Sequence, residues 1–156
     1  MPQRLTFEYN PLSYAYPDDE SDKELFFQTS NSSSSHLRAA FIYWVNIVFD
    51  DGEEVWQVVR LDEHNGRLKY VYPDLIVVDG CEQREHSPTY SLGVFTRDQR
   101  EAVLEYADEV EYGDNAQAGG EKQCQEWMGR LLQHMIAGDL LECGVVDRIR
   151  NAVPLS

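Results

Sequence analysis

The chain has 156 residues and a formal net charge of −15, from 28 acidic and 13 basic side chains. Hydrophobic residues make up 42% of the sequence and aromatic residues 12%, which is typical of a globular protein and excludes a disordered one. The acidic balance argues against nucleic acid and against a membrane as partners, because both require a basic surface. The length fits a single domain spanning residues 1–156.

The cysteine pattern and the absence of long apolar runs indicate the compartment. Cys81, Cys124 and Cys143 form an odd, widely spaced set, which does not suit a disulfide framework. The first residues lack the apolar run of a signal peptide, and no apolar stretch has the length of a transmembrane helix. We therefore expect a cytoplasmic protein.

The first part of the chain predicts short strands separated by loops. Residues 4–9 alternate apolar and polar, as in a strand, and Glu24–Thr29 predicts a second strand. Between them, residues 10–23 are rich in proline and aspartate and predict an exposed acidic loop. Residues 30–36 are polar and serine-rich, and predict a second mobile loop.

The next part predicts an antiparallel meander. Leu37–Phe49 is rich in β-branched and aromatic residues, Asp50-Asp51-Gly52 is a hairpin turn signal, and Val55–Leu61 predicts the returning strand. Asn65-Gly66 is a second turn signal. Further strand-like runs follow at Leu68–Tyr72, Leu75–Val78 and Tyr90–Phe95.

The hydrophobic period then changes to that of helices. Thr96 and Gln99 match a capping box, which predicts a helix to about Tyr112. A second helix is predicted over Glu121–Ala137 and a short third one over residues 142–152. The sequence thus predicts an α+β fold, with an antiparallel sheet meander in the first two thirds packed against two to three C-terminal helices.

Cys124 is the first candidate for chemistry. It follows the helix-breaking pair Gly119-Gly120 and lies in the first turn of the second predicted helix. A helix N-terminus favours a thiolate, so Cys124 has the position of a nucleophile. It also lies four residues before Met128 and seven before Leu131, on the apolar face, where a cysteine is often an inert core residue.

A nucleophilic cysteine needs a base, and His36 is the best candidate. It stands at the start of the longest predicted strand, and a strand end can face a helix N-terminus. His64 and His86 lie in a turn and a polar stretch, and His134 is ten residues beyond Cys124, which is too far along the same helix to pair with it. The alternative for His36 is an exposed residue at a strand edge.

Two tryptophans on neighbouring predicted strands, Trp44 and Trp56, are candidates for the wall of a binding pocket, although such residues are more often core or cross-strand pairs. The ligand patterns CxxC, HxxxH and HExxH, the phosphate-binding glycine loops and the GxSxG elbow are absent from the sequence. We therefore predict neither a metal nor a cofactor.

The order of a histidine before a long strand, an antiparallel meander, and a cysteine opening a helix in Gln123-Cys124-Gln125-Glu126-Trp127 resembles the circularly permuted papain-like arrangement. NlpC-like and lecithin–retinol acyltransferase-like proteins have this arrangement, and the chain looks still more like small fungal proteins of the same layout. The resemblance covers roughly residues 36–137. It implies that Cys124 is the nucleophile, His36 the general base and Trp127 a residue packed beneath the cysteine.

The chain departs from that family pattern in three respects. Gln123 stands where the family commonly has asparagine, and Leu37-Arg38 where an aromatic residue follows the histidine. A third polar residue to orient His36 is not evident, and Asn46, Gln57 and Asp62 are the candidates. These departures put the activity in doubt more than the fold.

Two functional hypotheses remain open. One is a cysteine-dependent hydrolase or acyl transferase acting on a small acyl or amide substrate, with backbone N–H groups at the helix start as the oxyanion hole. The other is a non-catalytic module that binds a small molecule or a protein partner, including a pathway protein that shapes a substrate in an apolar pocket lined by Trp44, Trp56 or Trp127.

Overall fold

The computed structural model of the protein describes residues 11–30, 39–64, 67–79, 88–110 and 121–152. The helices are α1 (Pro11–Ala15), α2 (Arg97–Glu109), α3 (Glu121–Ala137) and α4 (Cys143–Ala152). The strands are β1 (Lys23–Ser30), β2 (Ala39–Val48), β3 (Glu53–Val59), β4 (Leu61–His64), β5 (Arg67–Tyr70), β6 (Leu75–Asp79) and β7 (Thr89–Phe95). The fold is α+β, as the sequence predicts. The predicted strand at residues 4–9 lies outside the described residues.

Five strands form one antiparallel sheet in the order β6-β3-β2-β1-β7, and β4 and β5 pair separately. Strands β1, β2, β3 and β6 follow the predicted meander, but the run Leu68–Tyr72, expected to extend the same sheet, corresponds to β5, which pairs with β4 outside it. The last strand of the main sheet does not follow the meander, because β7 crosses to the far edge and pairs with β1. Long-range pairing of this kind leaves no mark on the local sequence of a strand.

The β2–β3 hairpin has the turn that Asp50-Asp51-Gly52 predicts. Gly52 has a φ of +90°, a conformation that side chains with a Cβ rarely adopt. The N–H of Phe49 donates to the carbonyl of Glu53 over 2.8 Å, and the N–H of Glu53 donates to Oδ1 of Asp51 over 2.9 Å. This turn fixes the register of the two central strands.

One face of the sheet packs against the C-terminal helices and forms the main core. Alternate residues of the strands, such as Leu25 and Phe27, point to this face because side chains alternate along a strand. Helix α3 covers them with a buried stripe. Its residues are Cys124, Trp127, Met128, Leu131, Leu132 and Met135.

The opposite face carries a second, mainly aromatic core. Phe41, Tyr43, Trp56, Val58 and Val78 are buried there. The rings of Tyr43 and Trp56 stack with centroids 3.6 Å apart and planes 7° from parallel. Both faces of the central strands are therefore buried, which explains why β3 is buried along almost its whole length rather than at alternate residues.

Helix α2 begins at the predicted capping box. The N–H of Gln99 donates to Oγ1 of Thr96 over 3.2 Å, and the N–H of Thr96 donates to Oε1 of Gln99 over 2.8 Å. Helix α3 has the predicted bounds and ends before Gly138. No helix among the described residues is both long and apolar enough to cross a membrane.

The segment predicted to be an exposed acidic loop differs from that prediction. Helix α1 occupies its start, and the carboxylate of Asp18 is only 9% exposed. Asp18 accepts hydrogen bonds from Nε and Nη2 of Arg100, a residue with no exposed surface. Sequence composition identified the charge but not its partner, which lies 82 residues away on α2.

Candidate functional site

Cys124 lies in the first turn of α3 and faces the main core, as the helical spacing predicts. Its residue surface is 8% exposed, and the neighbouring core residues Met128 and Leu131 are fully buried. A nucleophilic thiol has to reach its substrate, and this placement encloses most of the side chain. The geometry of the described residues is therefore that of a packed cysteine.

The partner predicted for Cys124 lies outside the described residues. His36 belongs to segment 31–38, and the pairing of Cys124 with His36 stays a prediction. His134 is exposed near the end of α3, and its ring is 6.2 Å from that of Tyr106, in a tilted arrangement. His86 also lies outside the described residues.

The three predicted binding tryptophans are placed in the interior and not around one cavity. Trp44 and Trp127 belong to the main core, and Trp56 belongs to the second core on the other face of the sheet. Nε1 of Trp127 donates to the carbonyl of Val110 over 3.2 Å, and Nε1 of Trp56 donates to Oε1 of Glu54 over 2.8 Å. These tryptophans hold the fold together.

The described part of the chain contains no group of three or more histidine, cysteine, aspartate or glutamate side chains placed to hold a metal ion. The acidic side chains that do cluster, around Asp18, are engaged with Arg100 and Lys23. The described residues therefore offer no ready ligand set for a metal centre.

A cavity of about 610 Å³ lies between edge strand β7 and helix α4, and we call it the β7–α4 cavity. The volume falls within the range of about 300–1,000 Å³ that is usual for small-molecule sites. Its lining includes Tyr90, Leu92, Glu142, Val145, Arg148 and Ile149.

Strand β7 and helix α4 form the two sides of the cavity, and each is anchored in the main core. Leu92 is buried against the main core on the strand side, and Ile149 is buried on the helix side. Helix α4 follows a tight turn in which Asp139 has a φ of 60°, and its residues Val145, Arg148 and Ile149 share the cavity lining with β7. The space between the two elements is left open at the surface.

The lining combines an apolar surface with polar groups at the rim. Leu92, Val145 and Ile149 supply the apolar part, and the Tyr90 ring packs against Phe27 with centroids 6.2 Å apart. Glu142 and Arg148 are exposed and carry opposite charges. The rim is therefore polar without a net charge, which suits a ligand with an uncharged polar end.

Strand β7 has a bulge where it borders the cavity. Its residues Ser91 and Gly93 pair with Phe26 and Leu25, so Leu92 is an extra residue in the ladder. Gly93 has a φ of +108°. Bulges twist an edge strand away from regular pairing and oppose the addition of a further strand. This feature favours a small molecule over an extended peptide as the occupant.

The sequence patterns missed the β7–α4 cavity because none of its residues belongs to a motif. The one local indication of the cavity is Gly93 within a strand-like run. An isolated glycine in a strand often marks a bulge, or a place where a ligand or another backbone segment comes close. Comparison with known proteins adds no relative: neither a family model, nor a curated protein, nor a solved structure matches the chain.

Proposed function

We propose that the protein is a binding module whose β7–α4 cavity takes a small molecule with an apolar body and an uncharged polar end. The observation that carries the proposal is the 610 Å³ space between a bulged edge strand and a helix. The size is usual for a small-molecule site, and the lining combines apolar side chains with polar ones that can orient a ligand.

The chemistry of the ligand follows from the lining. Val145, which is partly exposed, and Leu92 favour an apolar body, because moving apolar surface out of water is favourable. The hydroxyl of Tyr90 and the charged pair at the rim offer hydrogen bonds to a hydroxyl, ether or amide group. An anionic ligand is disfavoured by the net charge of −15 on the whole chain.

Binding without catalysis is the simpler function for this cavity. Its described lining contains neither cysteine nor histidine, so it lacks the usual nucleophile and base of a thiol enzyme. Cys124 packs in the main core and is not among the cavity's lining residues. The cysteine-dependent reaction implied by the papain-like resemblance stays a prediction from the sequence.

The neutral apolar dye N-phenyl-1-naphthylamine tests the proposal, because its fluorescence rises when it leaves water. We expect saturable binding to the native protein. The dye is excited at wavelengths longer than those that tryptophan absorbs, so that only the dye contributes to the signal. Val145→Trp fills the cavity and should reduce the affinity at least tenfold, whereas Val48→Trp, at an exposed strand end, should leave it unchanged.

Two outcomes would count against the proposal. One is the absence of saturable binding, and the other is equal binding to both tryptophan variants. Thermal unfolding of the two variants, followed by circular dichroism, separates a filled cavity from a damaged fold.

A further inference from the structure

A second cavity, of about 210 Å³, lies between the start of α2, strand β3 and the segment around Asp18. Its walls include Asp18, Gln57, Tyr72, Arg97 and Glu101. At roughly 30 Å³ of liquid volume per water, it has room for about seven waters or one small organic molecule.

A chain of hydrogen bonds fixes which way the amide of Gln57 points. Nζ of Lys23 lies 3.4 Å from Oδ1 of Asn46, and because an ammonium group only donates, the asparagine atom beside it is the oxygen. Nδ2 of Asn46 then donates to the carbonyl of Tyr16 over 3.1 Å and to Oε1 of Gln57 over 3.3 Å. The remaining polar atom of Gln57 is the donor Nε2.

Nε2 of Gln57 is a donor in the cavity wall, and the described part of the chain supplies no acceptor for it. Gln57 is only 6% exposed, and among the described residues nothing accepts a hydrogen bond from its amide nitrogen. The amide nitrogen is not one of the buried atoms that lack a partner, so it is open to the cavity, where a ligand that displaces water accepts from it.

The charged groups around the cavity are largely engaged with one another. Oδ1 of Asp18 accepts from Nη2 of Arg100 over 3.0 Å and lies 2.9 Å from Nζ of Lys23, and Oδ2 accepts from Nε of Arg100 over 2.9 Å. Arg97 donates from Nη1 to the carbonyl of Asp18 over 2.9 Å and from Nε to Glu101 over 3.2 Å. The carboxylate of Asp18 is therefore not an open acceptor for a ligand.

Further donors complete the wall. Within the described part of the chain, Nη2 of Arg97 and the hydroxyl of Tyr72 have no hydrogen-bond partner, and both residues line the same cavity as Gln57. Three negative side chains besides Asp18 lie near Arg97 or Lys23, namely Asp19, Glu20 and Glu101. They repel an added carboxylate but not a neutral carbonyl.

We infer that this second cavity binds a small neutral molecule through a carbonyl oxygen that accepts from Nε2 of Gln57. The class that fits is that of small amides and lactams, with Arg97 and Tyr72 as further donors to the same ligand. The inference does not rest on the proposed function of the β7–α4 cavity, since the two linings share no residue.

Titration with 2-pyrrolidinone, followed by proton–nitrogen correlation NMR, tests the inference. The side-chain NH₂ resonances of Gln57 should shift in a saturable way, and those of the buried Gln28 should not. Cyclopentane, which lacks the carbonyl, and acetate, which adds a charge, should each give at most a tenth of the shift. Gln57→Met should abolish saturable shifts at the backbone amides of Tyr72 and Arg97 while the protein stays folded by circular dichroism.

The opposite results would overturn the inference. Equal shifts with cyclopentane would assign the effect to apolar contact alone, and a larger response to acetate would assign the cavity to anions. Absence of a saturable shift at Gln57 during the lactam titration, or unchanged shifts at Tyr72 and Arg97 in Gln57→Met, would show that the Gln57 amide is not a ligand donor.

Discussion

Trp44 and Trp56 lie on neighbouring strands but belong to opposite faces of the main sheet. Trp44 is paired in register with Gln57, and Trp56 with Val45, so the two indoles cannot lie side by side. Trp44 is packed beneath the helices and Trp56 is stacked on Tyr43. A pocket lined by both, one of the hypotheses from the sequence, is therefore not what these strands form.

Two of the three tryptophans differ in whether the indole nitrogen Nε1 is hydrogen-bonded. Nε1 of Trp44 is buried and finds no hydrogen-bond partner among the residues that the structure describes, whereas Nε1 of Trp127 donates to the carbonyl of Val110. Both rings are at most 2% exposed. A buried donor without a partner costs about 1–3 kcal/mol, and a phenylalanine in its place removes that cost.

We therefore expect Trp127→Phe to lower the free energy of unfolding by about 1–3 kcal/mol more than Trp44→Phe does. Urea unfolding followed by far-ultraviolet circular dichroism gives both values. Equal losses, or a larger loss for Trp44→Phe, would contradict the hydrogen-bond assignments.

The ion pair between Asp18 and Arg100 should be a main determinant of stability. Asp18→Asn leaves the guanidinium of Arg100 buried without its counter-charge, and removal of one partner of a buried pair costs about 3–5 kcal/mol. Asp22→Asn makes the same charge change at an exposed residue and should cost little. Chemical unfolding at neutral pH measures both, and similar losses would contradict the role of the pair.

The same aspartate predicts how stability depends on pH. Burial alone raises the pKa of Asp18, but hydrogen bonds from Arg100 and Lys23 outweigh it and hold the pKa below its ordinary value of 3.8. A lowered pKa in the folded state means that the unfolded chain binds the proton more readily. The contribution is thus complete above pH 3.8 and is lost as the pH falls through the lower, folded pKa.

Asp18→Asn should therefore flatten the acid side of the stability profile. It should not remove the slope completely, because hydrogen bonds from the side chain and backbone of Ser21 lower the pKa of the exposed Asp19 to about 2. Urea unfolding from neutral pH down to about pH 3 gives the profile. A variant that loses stability as steeply as the wild type would contradict the assignment.

Gly138 and Gly144 should respond oppositely to alanine. A Cβ at Gly138 would lie 2.8 Å from Cζ of Tyr106, and crowding of this kind costs about 1–3 kcal/mol. A Cβ at Gly144, within α4, meets nothing within 4 Å and should stabilise the helix by about 0.5–1 kcal/mol. Thermal unfolding of the two variants checks this, and a midpoint that falls equally in both would contradict it.

Alkylation with iodoacetamide tests the packing of Cys124. Cys143 is exposed at the start of α4 and serves as the internal control. In the native protein we expect Cys143 to react at least tenfold faster than Cys124, because only 8% of the Cys124 surface is exposed. Mass spectrometry of the labelled peptides gives both rates. Rapid reaction at Cys124 that His36→Ala slows would instead support the thiol enzyme.

Local signals predicted the elements well, and the reasons are visible in particular residues. Thr96 and Gln99 mark the start of α2 because a capping box needs only four consecutive residues. The turn at Asp50–Gly52 and the stripe of α3 are equally local. Each of these features depends on neighbours in the chain, which a sequence shows directly.

Features that depend on distant partners were not predictable in the same way. The ion pair of Asp18 with Arg100 spans 82 residues, and the crossing of β7 to the edge beside β1 depends on the whole sheet. The β7–α4 cavity arises only once that crossing places β7 beside α4. The sequence therefore indicated a binding module as one of its alternatives but not where the module binds.

The most direct test of the β7–α4 cavity as a binding site is chemical-shift mapping with N-phenyl-1-naphthylamine. Proton–nitrogen correlation spectra of the labelled protein locate the dye residue by residue. We expect saturable chemical-shift changes concentrated at Leu92, Gly93, Val145 and Ile149. The resonances of the second core around Tyr43 and Trp56 should not shift. Shifts concentrated in that second core, or saturable binding that leaves β7 and α4 unmoved, would contradict this expectation.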